Sequence, residues 1–315
     1  NFRMKPLYPA IFNESQAGHL AWAELPENQI FYNHLLNSCR NFPSLILAYS
    51  AAEGLPDLAA TITESLLAAG INVFLPGEAA PVCSLAQALI SRNMPHSLYL
   101  DRVGDDALLT LTLLASHGGP LDEKDILDAK PAAPPLKSGL AGSTELDRYY
   151  VNNLAGLVDR FIEAGRGFKN IEIPFAGIEK SLREVPELSI IFESDPHGPT
   201  ARVSRDGQCL QIIDRSGRAV EAGEIAGDIT RYLVSERLAS GTIIGPAGQI
   251  SDFSTGCETL GVDGSSFDMS YHAGFSDLLV GWWHDGVCAH QGSSCFGDAI
   301  LTAIYYLEAH RSKKV

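Results

Sequence analysis

Leu188-Ser-Ile-Ile-Phe-Glu-Ser-Asp-Pro-His-Gly-Pro-Thr-Ala-Arg-Val203 governs how the rest of this chain is read. Its apolar run, Ile190–Phe192, predicts a buried strand. A short acidic turn rich in Gly and Pro follows, and a second β-like run continues through Arg202, Val203 and then Cys209–Ile213. A loop between two strands that carries clustered carboxylates suits Mg²⁺, because a hard dication needs several anionic oxygens. Counted on from Asp195, the alternate positions of this turn hold His197 and Pro199 and add no second carboxylate. One carboxylate and one imidazole do not make a Mg²⁺ site.

Working outward, strands alternate with helices. Toward the N-terminus, Leu45–Tyr49 reads as a buried strand, and Pro56–Ala69 carries Leu58, Ile62, Leu66 and Leu67 at helical spacing before Gly70 as a C-cap. Ile71–Leu75 is a second strand, Pro76-Gly77 a turn and Val82–Ile90 a second helix. Leu98–Leu100 and Leu108–Leu114 complete the succession. This order implies β-α-β packing and a mostly parallel sheet in an α/β/α domain. Residues 130–143 are rich in Pro, Gly and Ser and predict a linker or exposed loop. A helix over Glu145–Ala164, a short strand at Ile171–Ile173 and a helical piece from Ile178 lead back to the opening stretch. Beyond it, Gly223–Leu238 predicts a helix, Thr242–Ile244 a strand and Phe296–Ala309 an apolar closing helix. Asp252–Gly281 has too weak a periodicity for elements to be placed.

The 315 residues suffice for two domains with real cores, and 45% of them are hydrophobic. The longest apolar run, Ala107–Ala115, is too short to span a bilayer. A net charge of −15 argues against binding nucleic acid or inserting in an anionic membrane. The first residue is Asn, so the numbering is read as starting inside a longer chain or after processing. Cys39, Cys83, Cys209, Cys257, Cys288 and Cys295 show no CxxC spacing, which points to reduced thiols and a cytoplasmic protein.

Further motifs fall in a telling order. Pro76-Gly77-Glu-Ala-Ala-Pro81 follows the second strand; Gly118-Gly-Pro-Leu121 precedes the acidic Asp122-Glu-Lys-Asp-Ile126; Asp214-Arg-Ser-Gly217-Arg218 forms a hairpin signature; Gly297-Asp298-Ala-Ile300 runs on to Leu307-Glu308. Together they resemble the phosphohexomutases, the phosphoglucomutase/phosphomannomutase family. The resemblance implies an α/β protein with two α/β/α domains like the family's first and third, at residues 1–130 and 188–315. Residues 131–187 become a linker and a remnant of the second domain, and the fourth domain has no counterpart.

The same resemblance tests the chemistry. Family members carry a phosphoryl group on the serine of a Thr-Ala-Ser-His-Asn-Pro loop. Counting from Pro81 and back from Gly118 places Val103 at that serine. Ala115-Ser116-His117 copies the triplet but abuts Gly118-Gly119, where the family's serine does not lie. Ser116 therefore reads as a coincidental match and stands as the alternative nucleophile. The family's Asp-Gly-Asp-x-Asp-Arg metal loop, aligned on the opening stretch, leaves Asp195 as its first carboxylate, with His197, Pro199 and Thr200 at the other positions. The sugar-contacting Gly-Glu-x-Ser-Gly-His corresponds to Gly281–Gly286, where Trp282, Trp283, His284 and Asp285 are candidate contacts to a sugar or a partner. The N-terminal Gly-Thr-x-x-x-Arg-Gly corresponds loosely to Phe12–Gly18, without its arginine.

Other constellations read as ordinary structure. His284, Asp285, Cys288, His290 and Cys295 lack the paired knuckles of a zinc site. Asp101, Asp105 and Asp106 read as a solvated acidic turn, Ser194–His197 as a plain turn, and no Gly-x-Ser-x-Gly elbow supports a hydrolase. Nucleophile, metal and phosphate clamp must converge for phosphoryl transfer. Their replacement as a set points to a non-catalytic phosphohexomutase-derived protein, used as an interaction or scaffold subunit. A divergent sugar-phosphate enzyme or binder is the alternative. No cofactor is expected, with Mg²⁺ required only under that alternative. A second protein chain or self-association is expected through the face of Phe275–Val280, Trp282 and Trp283, whose aromatic and aliphatic content suits an interface, with packing of both indoles in the second domain's own core as the alternative.

Overall fold

The structure is a computed structural model that describes residues 35–36, 39, 42–92, 96–103, 108–115, 118, 137–158, 167–250, 257–263, 277–283, 286–293 and 296–312. The chain divides into two compact units, Asn1–Leu146 and Asp147–Val315. Both are mixed α/β, as the alternation of patterns predicts.

The first unit holds β1 (Ser44–Tyr49), α1 (Leu55–Ala68), β2 (Asn72–Pro76), α2 (Val82–Arg92), β3 (His96–Val103), β4 (Leu108–Ala115) and β5 (Ala141–Thr144). The sheet order is β4-β3-β1-β2-β5. All neighbours run parallel except β3 and β4, which pair antiparallel. Leu45 and Leu47 share a core cluster with Leu58, Ile62 and Leu66 of α1. Side chains alternate across a strand, so Ile46 and Ala48 are buried on the other face. Pro56 sits at the start of α1 with Asp57 in its first turn. Gly70 ends the helix at φ 82°, a conformation that costs glycine little. One expectation is corrected here. Ala141–Thr144, read as linker, is the edge strand β5, paired with β2 from Val73↔Ala141 to Pro76↔Thr144. Its small residues gave no apolar signal because an edge strand buries little, and Thr144 alone of the four is buried.

The second unit contains α3 (Leu146–Leu157, which begins at the boundary), β6 (Asn170–Glu172), α4 (Ala176–Glu184), α5 (Pro186–Ser189), β7 (Thr200–Val203), β8 (Leu210–Ile213), α6 (Ala222–Ser235), β9 (Thr242–Pro246), β10 (Glu258–Val262), β11 (Leu278–Trp282), β12 (Cys288–His290) and α7 (Ala299–Ser312). It has two sheets, ordered β6-β7-β8 and β10-β9-β11-β12. β10 and β11 lie within the segment whose periodicity was too weak to place. Helix α6 buries Ile225, Ala226, Ile229, Tyr232 and Leu233, the stripe of an amphipathic helix. Helix α7 is buried on every side from Ala299 to Ala309, as its strongly apolar sequence predicts. Among the described residues, no helix is long and apolar enough to cross a membrane.

The second correction concerns the opening stretch. Ile190–Phe192 is not a strand but a 3-10 turn that continues α5. Leu188 and Ile191 are buried, at 0% and 1% exposure. That i, i+3 spacing belongs to a helical turn, and three successive apolar residues are too few to tell the two periods apart. The Ser189 hydroxyl donates to the Pro186 carbonyl at 3.0 Å, and the Arg183 guanidinium lies 3.8 Å from the centre of the Phe192 ring. The first strand of the expected strand–loop–strand is instead β7.

Candidate functional site

With β7 as the leading strand, the loop that joins it to β8 is Ser204-Arg-Asp-Gly-Gln-Cys209. On the expected pattern of strand, loop and strand, this segment would correspond to the metal loop, a few residues beyond the position that the sequence suggests. Set against Asp-Gly-Asp-x-Asp-Arg, it keeps the middle carboxylate as Asp206. Ser204 and Gln208 stand at the outer carboxylates and Cys209 at the arginine. The geometry is closed upon itself. Asp206 Oδ1 accepts from the Ser204 hydroxyl at 2.5 Å and from the Gln208 backbone N–H at 3.1 Å, while Oδ2 accepts from Gln208 Nε2 at 2.8 Å. The Ser204 hydroxyl also accepts from the Cys209 N–H at 2.9 Å. Gly207 takes φ 78°, the left-handed conformation that lets the loop turn this tightly. These residues do not fit Mg²⁺. One carboxylate replaces three, and hydrogen-bond donors face both of its oxygens.

The expected triad of the opening stretch lies elsewhere, before β7. Asp195 Oδ1 accepts from the His197 backbone N–H at 2.9 Å, and Oδ2 lies 3.7 Å from Arg215 Nη2. Asp195, His197 and Pro199 line an open cleft of ≈ 670 Å³ with Arg215, Arg218 and His310. Arg218 bridges its own turn and the start of α6, with Nη1 and Nη2 on the two Glu224 oxygens and Nε on Asp214. The Ser216 hydroxyl, foremost, holds the Asp214 carboxyl below the usual carboxylate range. The Asp-x-x-Gly-Arg signature is thus a hydrogen-bonded turn. Among the described residues, no three His, Cys, Asp or Glu side chains gather as metal ligands.

Val103, the residue that the resemblance aligns with the nucleophile, is the last residue of β3 and pairs with Leu108 of β4. The ladder runs unbroken from His96↔Ala115 to Val103↔Leu108, so the backbone that would present a serine from a loop is regular strand here. Arg102 beside it donates through Nη1 to the Glu53 carbonyl at 2.7 Å. Ser116 and His117, with Asp105, Asp106, Gly119–Ile126 and Phe12–Gly18, lie outside the described residues, as do His284, Asp285, Cys295, Phe275 and Ser276.

For the tryptophans the structure has the core packing that was the alternative to an open cleft face: Trp282 is fully buried and Trp283 is 5% exposed. The reason is topological: β11 lies between β9 and β12, and all five of its residues are buried. The Trp282 ring covers Gly245 so closely that a Cβ there would stand 2.3 Å from the indole. Trp283 packs with Ile244, Val262, Leu278, Val287 and Ala289.

Cys288 and His290, weighed as zinc ligands, are buried core residues. Burial pushes the Cys288 thiol up to about 12 and the His290 imidazole down to about 3. Thr302 Oγ1 donates to the Asp298 carbonyl at 2.6 Å and lies 2.7 Å from His290 Nε2. The hydroxyl has one proton to give, so Nε2 carries the imidazole hydrogen. A pH dependence follows. In the unfolded chain this imidazole titrates near 6.5, whereas in the fold it stays neutral down to about 3. As pH falls below 6.5 the unfolded state takes up the extra proton. The His290 contribution is complete above that pH and falls by about 1.4 kcal/mol per pH unit below it. Urea unfolding followed through this range should show a shallower acid loss for His290→Gln than for the wild type.

Two mixed α/β units, with a β7–loop–β8 hairpin where a metal loop is expected, define a phosphohexomutase-type fold. Solved structures show the likeness: a putative phosphomannomutase from Thermus thermophilus matches with a TM-score of 0.69 and 13% identity, over 90% of this chain and 74% of that one. A phosphoglucomutase/phosphomannomutase family protein from Burkholderia thailandensis matches at 0.65 and 13% identity, over 89% and 73%. The open form of the Paramecium phosphoglucomutase pp63/parafusin matches at 0.62 and 10%, over 92% and 69%. No family profile and no curated protein matches the sequence.

Proposed function

We propose that this chain is a phosphohexomutase-derived protein that has given up phosphoryl transfer and serves as an interaction or scaffold subunit, bound to a second copy or to another protein. The observation that carries this reading is the backbone of Val103, paired in a strand where the resemblance expects a nucleophile loop, with valine a residue type that cannot accept phosphate. The Ser204–Cys209 loop supports it, because stabilising the charge of a transferring phosphoryl group needs the cation this loop does not fit. A protein kept for its surface needs its core intact and its reactive side chains not at all, which is the pattern of replacement along this chain. Cys39, Cys257 and Cys288 are free thiols, which supports a reducing compartment such as the cytoplasm. With both indoles buried, the partner surface of this reading lies away from Trp282. The reading expects no conversion of a hexose 1-phosphate to its 6-phosphate by the purified chain, whereas conversion above background would favour the divergent enzyme.

A further inference from the structure

We infer that the β7–β8 loop of this chain is a metal-independent clip, in which the Ser204 hydroxyl and the Gln208 amide hold Asp206 in the place of a cation. The inference deepens the non-catalytic reading and rests on it.

A loop that has merely lost its ligands would leave its remaining carboxylate to solvent. Here Asp206 receives hydrogens from three donors on two residues, at 2.5, 2.8 and 3.1 Å. The donors come from the outer carboxylate positions of the motif. Charge repulsion between carboxylates is thereby exchanged for attraction between donor and acceptor. A cation normally relieves that repulsion, and this loop has none to relieve.

The clip is also built into the unit. The backbone N–H of Ser204 donates to the Cys209 carbonyl at 2.9 Å and that of Gly207 to the Ser204 carbonyl at 3.0 Å, closing the hairpin. The Gly207 carbonyl accepts from the Ala299 N–H at 2.9 Å, at the first residue of α7. Gly297 approaches so closely that a Cβ on it would stand 2.6 Å from the Gln208 carbonyl oxygen. The loop therefore supports the start of the helix that fills the second unit's core. A requirement for metal at this point would make that support depend on the ion; the Gln208 amide removes the dependence.

The test is thermal unfolding of the full chain, with Mg²⁺ or with EDTA, for the wild type, Gln208→Ala and the double variant Ser204→Asp/Gln208→Asp. The wild type should melt at one temperature in both solutions. Gln208→Ala should melt lower and stay indifferent to the ion. The double variant restores three carboxylates on the original spacing. It should melt lower than the wild type in EDTA and rise with increasing Mg²⁺, as a ligand that binds the folded state requires. If it does not fold in EDTA, recovery of the folded far-ultraviolet signal on adding Mg²⁺ reads the same property.

Two results would overturn the inference. One is a wild-type melting temperature that rises with Mg²⁺ and loses that rise in Asp206→Asn. The other is a double variant that ignores Mg²⁺, in its melting and in its folding. The proposed function fails separately: a wild type indifferent to Mg²⁺ that still converted a sugar phosphate would refute the non-catalytic reading and leave the clip in place.

Discussion

Trp282→Ala should lower the unfolding free energy by about 3–5 kcal/mol, the usual cost of truncating a large aromatic side chain in a close-packed core. The indole is fully buried on an interior strand, and the surrounding sheet cannot collapse into the space without losing pairing with β9 or β12. Urea denaturation gives the value directly, with the midpoint falling and the slope unchanged. The same ring makes a second, linked expectation. A methyl group on Gly245 would meet Trp282 Cη2 at 2.3 Å, closer than any real contact, and an indole clamped between strands cannot swing away. Gly245→Ala should therefore cost roughly 2–3 kcal/mol through overpacking. Combined with Trp282→Ala, its cost should largely vanish, because the atom it strikes is gone. A double-mutant cycle measures that coupling, and purely additive losses would show that the glycine answers to something other than the ring. If Trp282 instead served an interface, its truncation would change the sedimentation of the protein and leave its midpoint in place.

Asp298→Ala is expected to cost a similar amount, roughly 3–5 kcal/mol, for a different reason. Asp298 is fully buried at the start of α7. Its Oδ1 accepts from the Tyr150 hydroxyl at 2.6 Å and from the Leu301 N–H at 3.0 Å, and its Oδ2 accepts from the Ser293 hydroxyl at 2.6 Å. The side chain thus caps one helix and ties it to another, and its removal takes an acceptor away from two buried hydroxyls as well as from the N–H. Tyr150→Phe deletes one of these bonds and should cost about 1–3 kcal/mol. Thermal melts of the two variants should fall in that order. An Asp298→Ala protein as stable as the wild type would mean that water repairs the network.

Most of this architecture is legible in the sequence. Leu58, Ile62 and Leu66 with Gly70 announce α1, and the strongly apolar stretch ending at Ala309 announces α7, because both signals arise from burial in a helix. What escapes such a reading has no comparable signal. β5 is a four-residue edge strand of Ala, Gly, Ser and Thr, and β10 exposes Glu258–Gly261, so neither carries an apolar face to find. Ile190–Phe192 misleads by brevity, since three apolar residues satisfy a strand and a 3-10 turn alike. That one ambiguity puts the expected strand–loop–strand at Asp195–Pro199, whereas the turn between paired strands is Ser204–Cys209. The composition of that turn, with Gly207 inside a polar segment between two short β runs, is itself a hairpin signal. The alignment of Val103 with the family's serine can be made from sequence because two flanking anchors agree on the register. The burial of Trp282 is not, because it follows from strand order, and strand order is a long-range property that local sequence does not encode.

Turnover tests the central claim most directly. The purified chain would be incubated with glucose 1-phosphate or mannose 1-phosphate, the matching 1,6-bisphosphate and Mg²⁺, with an active mutase run alongside, and the 6-phosphate quantified. The account predicts product indistinguishable from the protein-free background. Formation of 6-phosphate that requires Mg²⁺ and grows in proportion to the amount of chain would contradict it, and would return the protein to the sugar-phosphate enzymes.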